Sequence, residues 1–487
     1  MLVTIKYNRH KVADIMSYIA KLVSNRRGNV ALISCFMMIP LVFALGMGVD
    51  YTLAKRRQDQ INGIADAAAL AAVTPTMMLQ SDANAIAAAR SMFNAQIATV
   101  PEVGYSAGNV SITASTSTGA VNKRTVTISY TATSTNQFAA LLGVTTLPIA
   151  GTSAATSSLA PNINFYLLLD TSPSMEIAAT TAGMNTLIAN TQGQVDSGTG
   201  AKGCAFGCHQ AIPLADTLNN PSSTYNSRTN PNPITCVSGT AASIVTNVAT
   251  GAEDNYGLAR CLGVTMRIDL VNQATQNLMS VAQTTATQNK AVYQVAIYTF
   301  DQAMSTIQSL TSNLSAAQTN AANIQALAVY KNNWLTTSNN NQDEDTSLDL
   351  YMAKMYTARS STNIMPIPGN GTNNTGDTPQ EVLFIVSDGL NDNLVSGARS
   401  YTPVNTATCT AIKNSGIRIA FLYLTYNPMT TDTWYNGHVA PIQGQIAPAA
   451  QSCASAGLYF QVNTDGDISA AMTSLFQKAV ATAHLSQ

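Results

Sequence analysis

Charge is scarce in this chain of 487 residues: Asp, Glu, Lys and Arg make up 10% of it, where about 25% is usual for a soluble domain. The 24 basic and 25 acidic residues leave a net charge of −1, so no basic field gathers phosphates and no block of like charge is present. Nucleic acid is a poor partner for such a surface. Histidine is rarer still, with His10, His209, His438 and His484 scattered along the chain, and general acid–base machinery has no visible centre. A Gly-Lys-Ser/Thr phosphate loop is missing, and nothing else marks a small-molecule substrate site. Of seven cysteines, Cys35 stands alone, whereas Cys204, Cys208, Cys236, Cys261, Cys409 and Cys453 form an even downstream set. Low charge with an even cysteine set points to an oxidising compartment. At ~100 to 200 residues per domain, the length implies two to four units with ample core.

What the chain does have is one long apolar run. NVALISCFMMIPLVFALGMGV, between Gly28 and Asp50, is 21 residues without a charge, and as a helix it spans roughly 30 Å, the thickness of a bilayer core. The preceding 28 residues carry Lys6, Arg9, Lys11, Lys21, Arg26 and Arg27 against Asp14. Positive-inside bias then places the amino terminus in the cytoplasm and residues 50–487 outside. A cleaved signal peptide is the rival reading, but its apolar core is usually about 7 to 15 residues, and no small-x-small cleavage site follows the run. Cys35 reads as a small apolar filler within the span.

Beyond the span, INGIADAAALAAV and SDANAIAAARSMFNAQI are Ala-rich and read as two helices with a break at Pro75, a stalk over 50–100. Residues 101–160 change to short alternating runs such as VSITAST and RTVTISYTATS, a small β-rich module. From 161 onward fully apolar runs appear: INFYLLLD, AVYQVAIYTF, EVLFIVSDG, IRIAFLYLTY and LYFQV. Between them lie amphipathic stretches such as RIDLVNQATQNLMSVAQ, whose Leu270, Val271, Ala274, Leu278 and Val281 share a stripe. Continuous apolar strands alternating with such helices predict an α/β fold, a doubly wound, mainly parallel sheet over 161–487. An 87-residue connection from Glu176 to Leu262 interrupts it and holds four of the six downstream cysteines. A loop that long carries function or structure of its own.

Ligands in such sheets bind beyond the carboxyl ends of the strands. The first strand ends in Asp170-Thr171-Ser172-Pro173-Ser174, and a later one in Ser387-Asp388-Gly389. Between them, Asp345-Thr346-Ser347-Leu348-Asp349 opens a helix with the apolar stripe Leu348, Tyr351, Met352 and Met355. Asp170, Ser172, Ser174, Thr346 and Asp388 supply two carboxylates and three hydroxyls, hard oxygen ligands suited to Mg²⁺ or Mn²⁺. Such a set leaves residual positive charge and an open position for a partner's carboxylate. Each hydroxyl also has a plain structural explanation, since Ser172 before Pro173 suits a helix N-cap and Thr346 with Asp349 suits a capping box. Asp301, after AIYTF, is a further strand-end carboxylate without an assigned role.

The three segments LLLDTSPSM, DTSLDLYMAKM and VLFIVSDGLND resemble the metal-ion-dependent adhesion site of von Willebrand factor A domains. The resemblance implies that Asp170, Ser172, Ser174, Thr346 and Asp388 hold the ion. Pro173, and residues 342–345 before the threonine, depart from the glycines frequent there but leave the ligands intact. The amino-terminal RRGNVALISCFMMIPLVFALGMGVDYTLAKRRQDQINGIADAAALAA resembles TadG-type proteins of the Flp (Tad) pilus-assembly system. That implies a cytoplasmic tail over 1–28, a transmembrane helix over 29–49 in the inner membrane of a Gram-negative bacterium, and a periplasmic A-type domain over 161–487 with its insertion 176–262. Pilins of such systems are cut after a Gly with Glu at the fifth position beyond; here that position is Ile33, so a permanent anchor is expected. The implied role is binding or scaffolding, with other pilus-assembly proteins or pilins as partners. The alternatives are a surface or pilus-tip adhesin that binds host or matrix, an accessory subunit of a metal-dependent enzyme, and a scaffold that has lost its metal.

Three further motifs are rejected. Cys204-Ala-Phe-Gly-Cys208-His209 has one residue too many between its cysteines for c-type haem attachment, so disulfides are the simpler reading, with a zinc site as the minor one. Cys204, Cys208, Cys236 and Cys261 allow three pairings, whereas Cys409 and Cys453 fall in helices that precede neighbouring strands and can meet. Gly104-Tyr105-Ser106-Ala107-Gly108 matches a nucleophile elbow but is followed by a strand, VSITAST, where an elbow needs a helix. A phosphoaspartyl enzyme would need a second Asp at Ser172.

Overall fold

The computed structural model describes residues 17, 27–117, 122–192, 203, 205, 259, 262–301, 303–326, 346–358, 360–372, 374–395, 398–426, 428–429, 435–463 and 465–484. They fall into two units, residues 1–116 with 123–157, and residues 117–122 with 158–487. Cys204, Cys208, His209, Cys236 and Cys261 lie outside the described residues, as do residues 342–345.

In the first unit the apolar run and the Ala-rich sequence after it form one helix, α1 (Arg27–Ala71). Its first half is apolar on all sides and largely exposed, with Phe36 at 69% and Leu45 at 66%, and the helix is long and apolar enough to cross a membrane. Past Asp50 it becomes one-sided: Ala54, Ile61, Ala65, Ala68 and Ala69 are buried. Thr74 caps the short α2 (Pro75–Met78), and Ser81 caps α3 (Asp82–Ile97) by accepting the Asn84 N–H at 3.2 Å. Ala85, Ala89, Phe93 and Ile97, four residues apart, form the buried edge of α3. Small residues on both helices let them approach closely. The sheet beside them holds β1 (Val103–Gly104), β2 (Val110–Ser117), β3 (Lys123–Thr135) and β4 (Thr146–Ser158), all paired to β3. Every second residue of β3 points inward, from Arg124 through Val126, Ile128, Tyr130 and Ala132 to Ser134. The Arg124 guanidinium is fully engaged, donating to Met77 O, Gln80 O, Asp82 Oδ1 and Thr116 Oγ1 at 2.6 to 2.9 Å. Ser106 starts a 3-10 turn that leads into β2, so it is no nucleophile elbow.

The second unit is built on a six-stranded sheet: β5 (Ile163–Asp170), β6 (Tyr293–Phe300), β7 (Met304–Thr311), β8 (Gln380–Ser387), β11 (Arg418–Leu424) and β12 (Tyr459–Val462). Its order is β12-β11-β8-β5-β6-β7, and the pairings β5–β6, β5–β8, β8–β11 and β11–β12 are parallel while β6–β7 is antiparallel. Counted within the sheet this is 3-2-1-4-5-6, the doubly wound order, with an antiparallel third strand at one edge. All eight residues of β5 and of β8 are buried, so both faces are covered. One group of helices is α5 (Arg267–Asn289), α6 (Leu314–Ala321) and α10 (Ile468–Ala481). Another is α7 (Leu348–Met355), α8 (Thr406–Asn414) and α9 (Gln443–Cys453). A further helix, α4 (Thr181–Asn190), follows the first strand.

The expected stripe on α5 is present, shifted by a fraction of a turn: Ile268, Val271, Ala274, Thr275, Leu278 and Met279 are buried, with Leu270 and Val281 flanking. Cys409 on α8 and Cys453 on α9 form a disulfide with Cα atoms 5.0 Å apart. β7 is additional to the strands expected from sequence, and so is a separate antiparallel hairpin of β9 (Leu390–Val395) and β10 (Ala398–Pro403).

Candidate metal-binding site

β5 and β8 are the two strands at which the winding of the sheet reverses, the place where doubly wound sheets open a crevice at their carboxyl ends. Leu169 pairs with Val386, so one residue further on Asp170 lies beside Ser387. The Ser387 hydroxyl donates to Asp170 Oδ2 at 2.7 Å. On the other side, the Ser172 N–H and Oγ–H donate to Asp170 Oδ1 at 3.0 and 2.6 Å. Ser174 Oγ is 3.0 Å from Ser172 Oγ. Pro173 starts a 3-10 turn (Pro173–Glu176) that brings the two hydroxyls to one side, and Ser172 makes no cap bond to it. Its hydroxyl serves the carboxylate, which disposes of the N-cap explanation.

Asp388 follows β8 on the same rim. Leu390 N–H donates to its Oδ1 at 3.2 Å, while its Oδ2 is buried with no hydrogen bond. Gly389 makes the turn possible: its φ is +74°, and a Cβ there would meet Ile446 at 2.8 Å. Asp170, Ser172, Ser387 and Asp388 are all fully buried. Burial pushes the Asp170 carboxyl above the usual carboxylate range and the charge of Asp388 adds to this, against the hydrogen bonds from Ser172 and Ser387. Burial also raises Asp388, opposed by Ser174, Arg267, Leu390 N–H and Tyr426.

Thr346 is buried and forms a bridge with Asp392 of the hairpin, each N–H donating to the other's carbonyl. The next N–H, of Ser347, donates to Asp301 O at 3.3 Å. Asp301 Oδ2 in turn accepts from Thr171 Oγ1 at 3.0 Å. Thr346 is thereby tied to the segment beside Asp170, although no hydrogen bond joins its hydroxyl to the other four residues. The capping box is not formed: Ser347 is the N-cap of α7, and Asp349 instead accepts from Asn405 N–H at 2.8 Å and Asn391 Nδ2 at 3.0 Å.

The sequence places Ser387 and Asp301 at strand ends without giving either a role, and it does not single out Arg267 or Tyr426. Ser387 and Asp301 carry the same strand-end signal as Asp170. Arg267, the first residue of α5, is buried, donates to Thr425 O at 2.5 Å and stacks 5.2 Å from the centre of the Tyr426 ring. Nothing in its sequence context marks it.

Among the described residues no group of three or more His, Cys, Asp or Glu side chains could hold a metal. A cation here must rely on two carboxylates and on hydroxyls, which is the hard-oxygen set suited to Mg²⁺ or Mn²⁺. Asp388 Oδ2 makes no hydrogen bond of normal geometry, with the Ser174 and Tyr426 hydroxyls near it, and two mutually repelling buried carboxyls are what a divalent cation relieves. The residues present fit the ion.

Residues 28–90 match the family described as putative Flp pilus-assembly TadE/G-like. No curated protein matches the chain. Among solved structures it is similar to the conserved hypothetical protein BatB from Bacteroides thetaiotaomicron, at 11% identity over 66% of this chain and 100% of that one, with a TM-score of 0.29. A second is the vWF domain of the type V pili tip protein Mfa5 from Porphyromonas gingivalis, at 8% identity over 67% and 96%, TM-score 0.31. A third is proximal thread matrix protein 1 from the mussel byssus, described with a zinc-occupied MIDAS motif, at 11% identity over 66% and 46%, TM-score 0.28. All three scores are low, and the fold assignment rests on the strand order of the sheet itself. Residues 28–90 thus match the Flp pilus-assembly TadE/G-like family model, and the second unit of the chain is a doubly wound, mainly parallel α/β domain.

Proposed function

We propose that the protein is a membrane-anchored binding or scaffolding component of Flp-type pilus assembly. Its apolar helix holds it in the bacterial inner membrane, with the amino terminus in the cytoplasm and residues 50–487 in the periplasm. The family match over 28–90, the bare apolar half of α1 and the basic residues before it support this reading. A disulfide between Cys409 and Cys453 suits an oxidising compartment. The role in this reading is binding: the strand-end site offers buried carboxyls and hydroxyls, a set suited to holding a cation.

In this reading Asp170, Ser172, Ser174, Thr346 and Asp388 hold Mg²⁺ or Mn²⁺. The ion supplies a positive charge that a partner protein's carboxylate can meet. Ser387 and Ser172 fix the Asp170 carboxylate from both sides, Gly389 aims Asp388, and the hairpin holds Thr346 in place. The observation that carries the proposal is the buried Asp388 Oδ2, without a hydrogen bond of normal geometry, beside Asp170. Capture of partners from solubilised membranes, with Mg²⁺ or with chelator, tests it. Wild type should retain a pilus-assembly protein or pilin in Mg²⁺ only, and Asp388→Ala in neither condition. Equal capture under all four conditions refutes a metal-dependent contact, and labelling of the intact cell surface would instead identify an adhesin.

A further inference from the structure

A second feature lies in the first unit, far in sequence from the metal site. The segment 137–144, which joins β3 to β4, forms a 3-10 turn (Ala139–Leu142). Four large apolar side chains on it are exposed: Phe138 40%, Leu141 76%, Leu142 54% and Val144 49%. The sequence has no charged residue between Arg124 and Asp170, and the polar Gln137 at the start of the segment is turned to Glu102 at 3.0 Å.

Its position along α1 is fixed at two levels. The Asp50 carboxylate accepts the N–H groups of Gln137 at 2.8 Å, Phe138 at 3.0 Å and Ala139 at 2.7 Å. One helical turn earlier, Gly46 receives the Phe138 side chain so closely that a Cβ at Gly46 would be 2.6 Å from Phe138 Cβ. Positions four apart share a face, so carboxylate and glycine grip the same turn. Gly46 lies three residues inside the apolar run that ends at Val49, which at 1.5 Å per residue is about 5 Å below its end. That is the depth at which interfacial segments bury their apolar faces. Tyr51, 60% exposed just past the run, suits the same boundary.

We propose that residues 137–144 dip into the bilayer beside the exit of the transmembrane helix, as a second contact with the same membrane. A water-exposed patch of this kind would be an aggregation liability, and the lipid it adjoins is its occupant. Asp50 makes the arrangement tolerable, because its charge is taken up by three N–H donors that would otherwise be unpaired near hydrocarbon. The inference rests on the reading of 29–49 as a membrane span.

The test uses the full chain in lipid nanodiscs with Trp334→Phe and Trp434→Phe as background, and a single tryptophan introduced as Leu141→Trp or Leu41→Trp. Lipids brominated near the headgroup should quench Leu141→Trp about twofold or more, and more than lipids brominated near the chain ends, whereas Leu41→Trp should show the reverse order. Adding Asp50→Ala should weaken lipid quenching at position 141 and open it to aqueous iodide. If Leu41→Trp is quenched by lipid while Leu141→Trp is quenched by iodide, the second contact is overturned and the span stands. If Leu141→Trp resists both quenchers, a protein surface covers the patch and the proposal fails. If neither tryptophan responds to brominated lipid, the span itself is refuted.

Discussion

Asp50 in the first unit and Asp388 in the second are both buried carboxylates, and their surroundings are opposite. Asp50 accepts from three backbone N–H groups. Burial alone would raise it, but those donors and Arg57 outweigh burial and hold it below the usual carboxylate value. Asp388 has one backbone donor, an oxygen without a hydrogen bond of normal geometry and Asp170 as neighbour, and burial raises it against the nearby Ser174, Arg267 and Tyr426. A carboxylate that joins two pieces of chain is saturated by the protein. The one proposed to serve a ligand has fewer donors. The same contrast holds for the arginines: Arg124 spends its guanidinium on four partners within its unit, while Arg267 stands near Asp388 and Asp170 as a compensating charge.

The largest expected effect separates the two units as wholes. Reducing Cys409–Cys453, or making Cys453→Ser, should destabilise the α/β unit by about 2 to 4 kcal/mol. Hydrogen exchange should show faster opening there and unchanged protection in α1 and α3. Uniform loosening of both units would mean that they unfold as one.

Next comes the comparison itself. Asp50→Ala leaves three N–H groups without an acceptor and should cost about 2 kcal/mol in the first unit, with metal binding unchanged. Asp388→Asn should do the opposite in chelator, raising the stability of the second unit by roughly 1 kcal/mol, because it removes a buried like charge. Melting curves of both variants without divalent ions decide this. A loss at Asp388→Asn equal to that at Asp50→Ala would make both carboxylates structural.

The smallest effect concerns a third buried carboxyl. Glu381, paired through Asn164 Nδ2 at 2.9 Å, is pushed by burial from 4.5 to about 8. The folded state therefore holds a proton that the unfolded state releases, so this group's contribution is full below pH 4.5 and is lost as pH rises to about 8. Glu381→Gln keeps the amide contact and should flatten that part of the melting temperature's pH dependence. An unchanged slope between wild type and variant would show Glu381 ionised throughout.

Much of the fold was legible because its central strands are buried on both faces. INFYLLLD and EVLFIVS show uninterrupted apolar sequence and became β5 and β8, the strands that carry Asp170 and Asp388. β7 was not legible because it is a half-exposed edge strand, MSTIQSLT, with few apolar residues. The β9–β10 hairpin was hidden for a related reason: LNDNLV is largely polar and lacks the apolar run of the central strands. That hairpin holds Thr346, so the surroundings of Thr346 were equally hidden. Ser387 had no legible role because only the register between β5 and β8 places its hydroxyl against Asp170. The clamp of Asp50 on residues 137–139 joins positions almost 90 apart in the chain and leaves no periodic trace.

The central claim is that Asp170, Asp388 and the neighbouring hydroxyls bind one divalent cation. Titrating Mn²⁺ into the full chain in nanodiscs, and following free Mn²⁺ by electron paramagnetic resonance, tests it most directly. The account predicts one bound ion per chain, displaced by Mg²⁺ and lost in Asp388→Ala. Mn²⁺ that stays free with the wild type, or that binds equally well to Asp388→Ala, would contradict it.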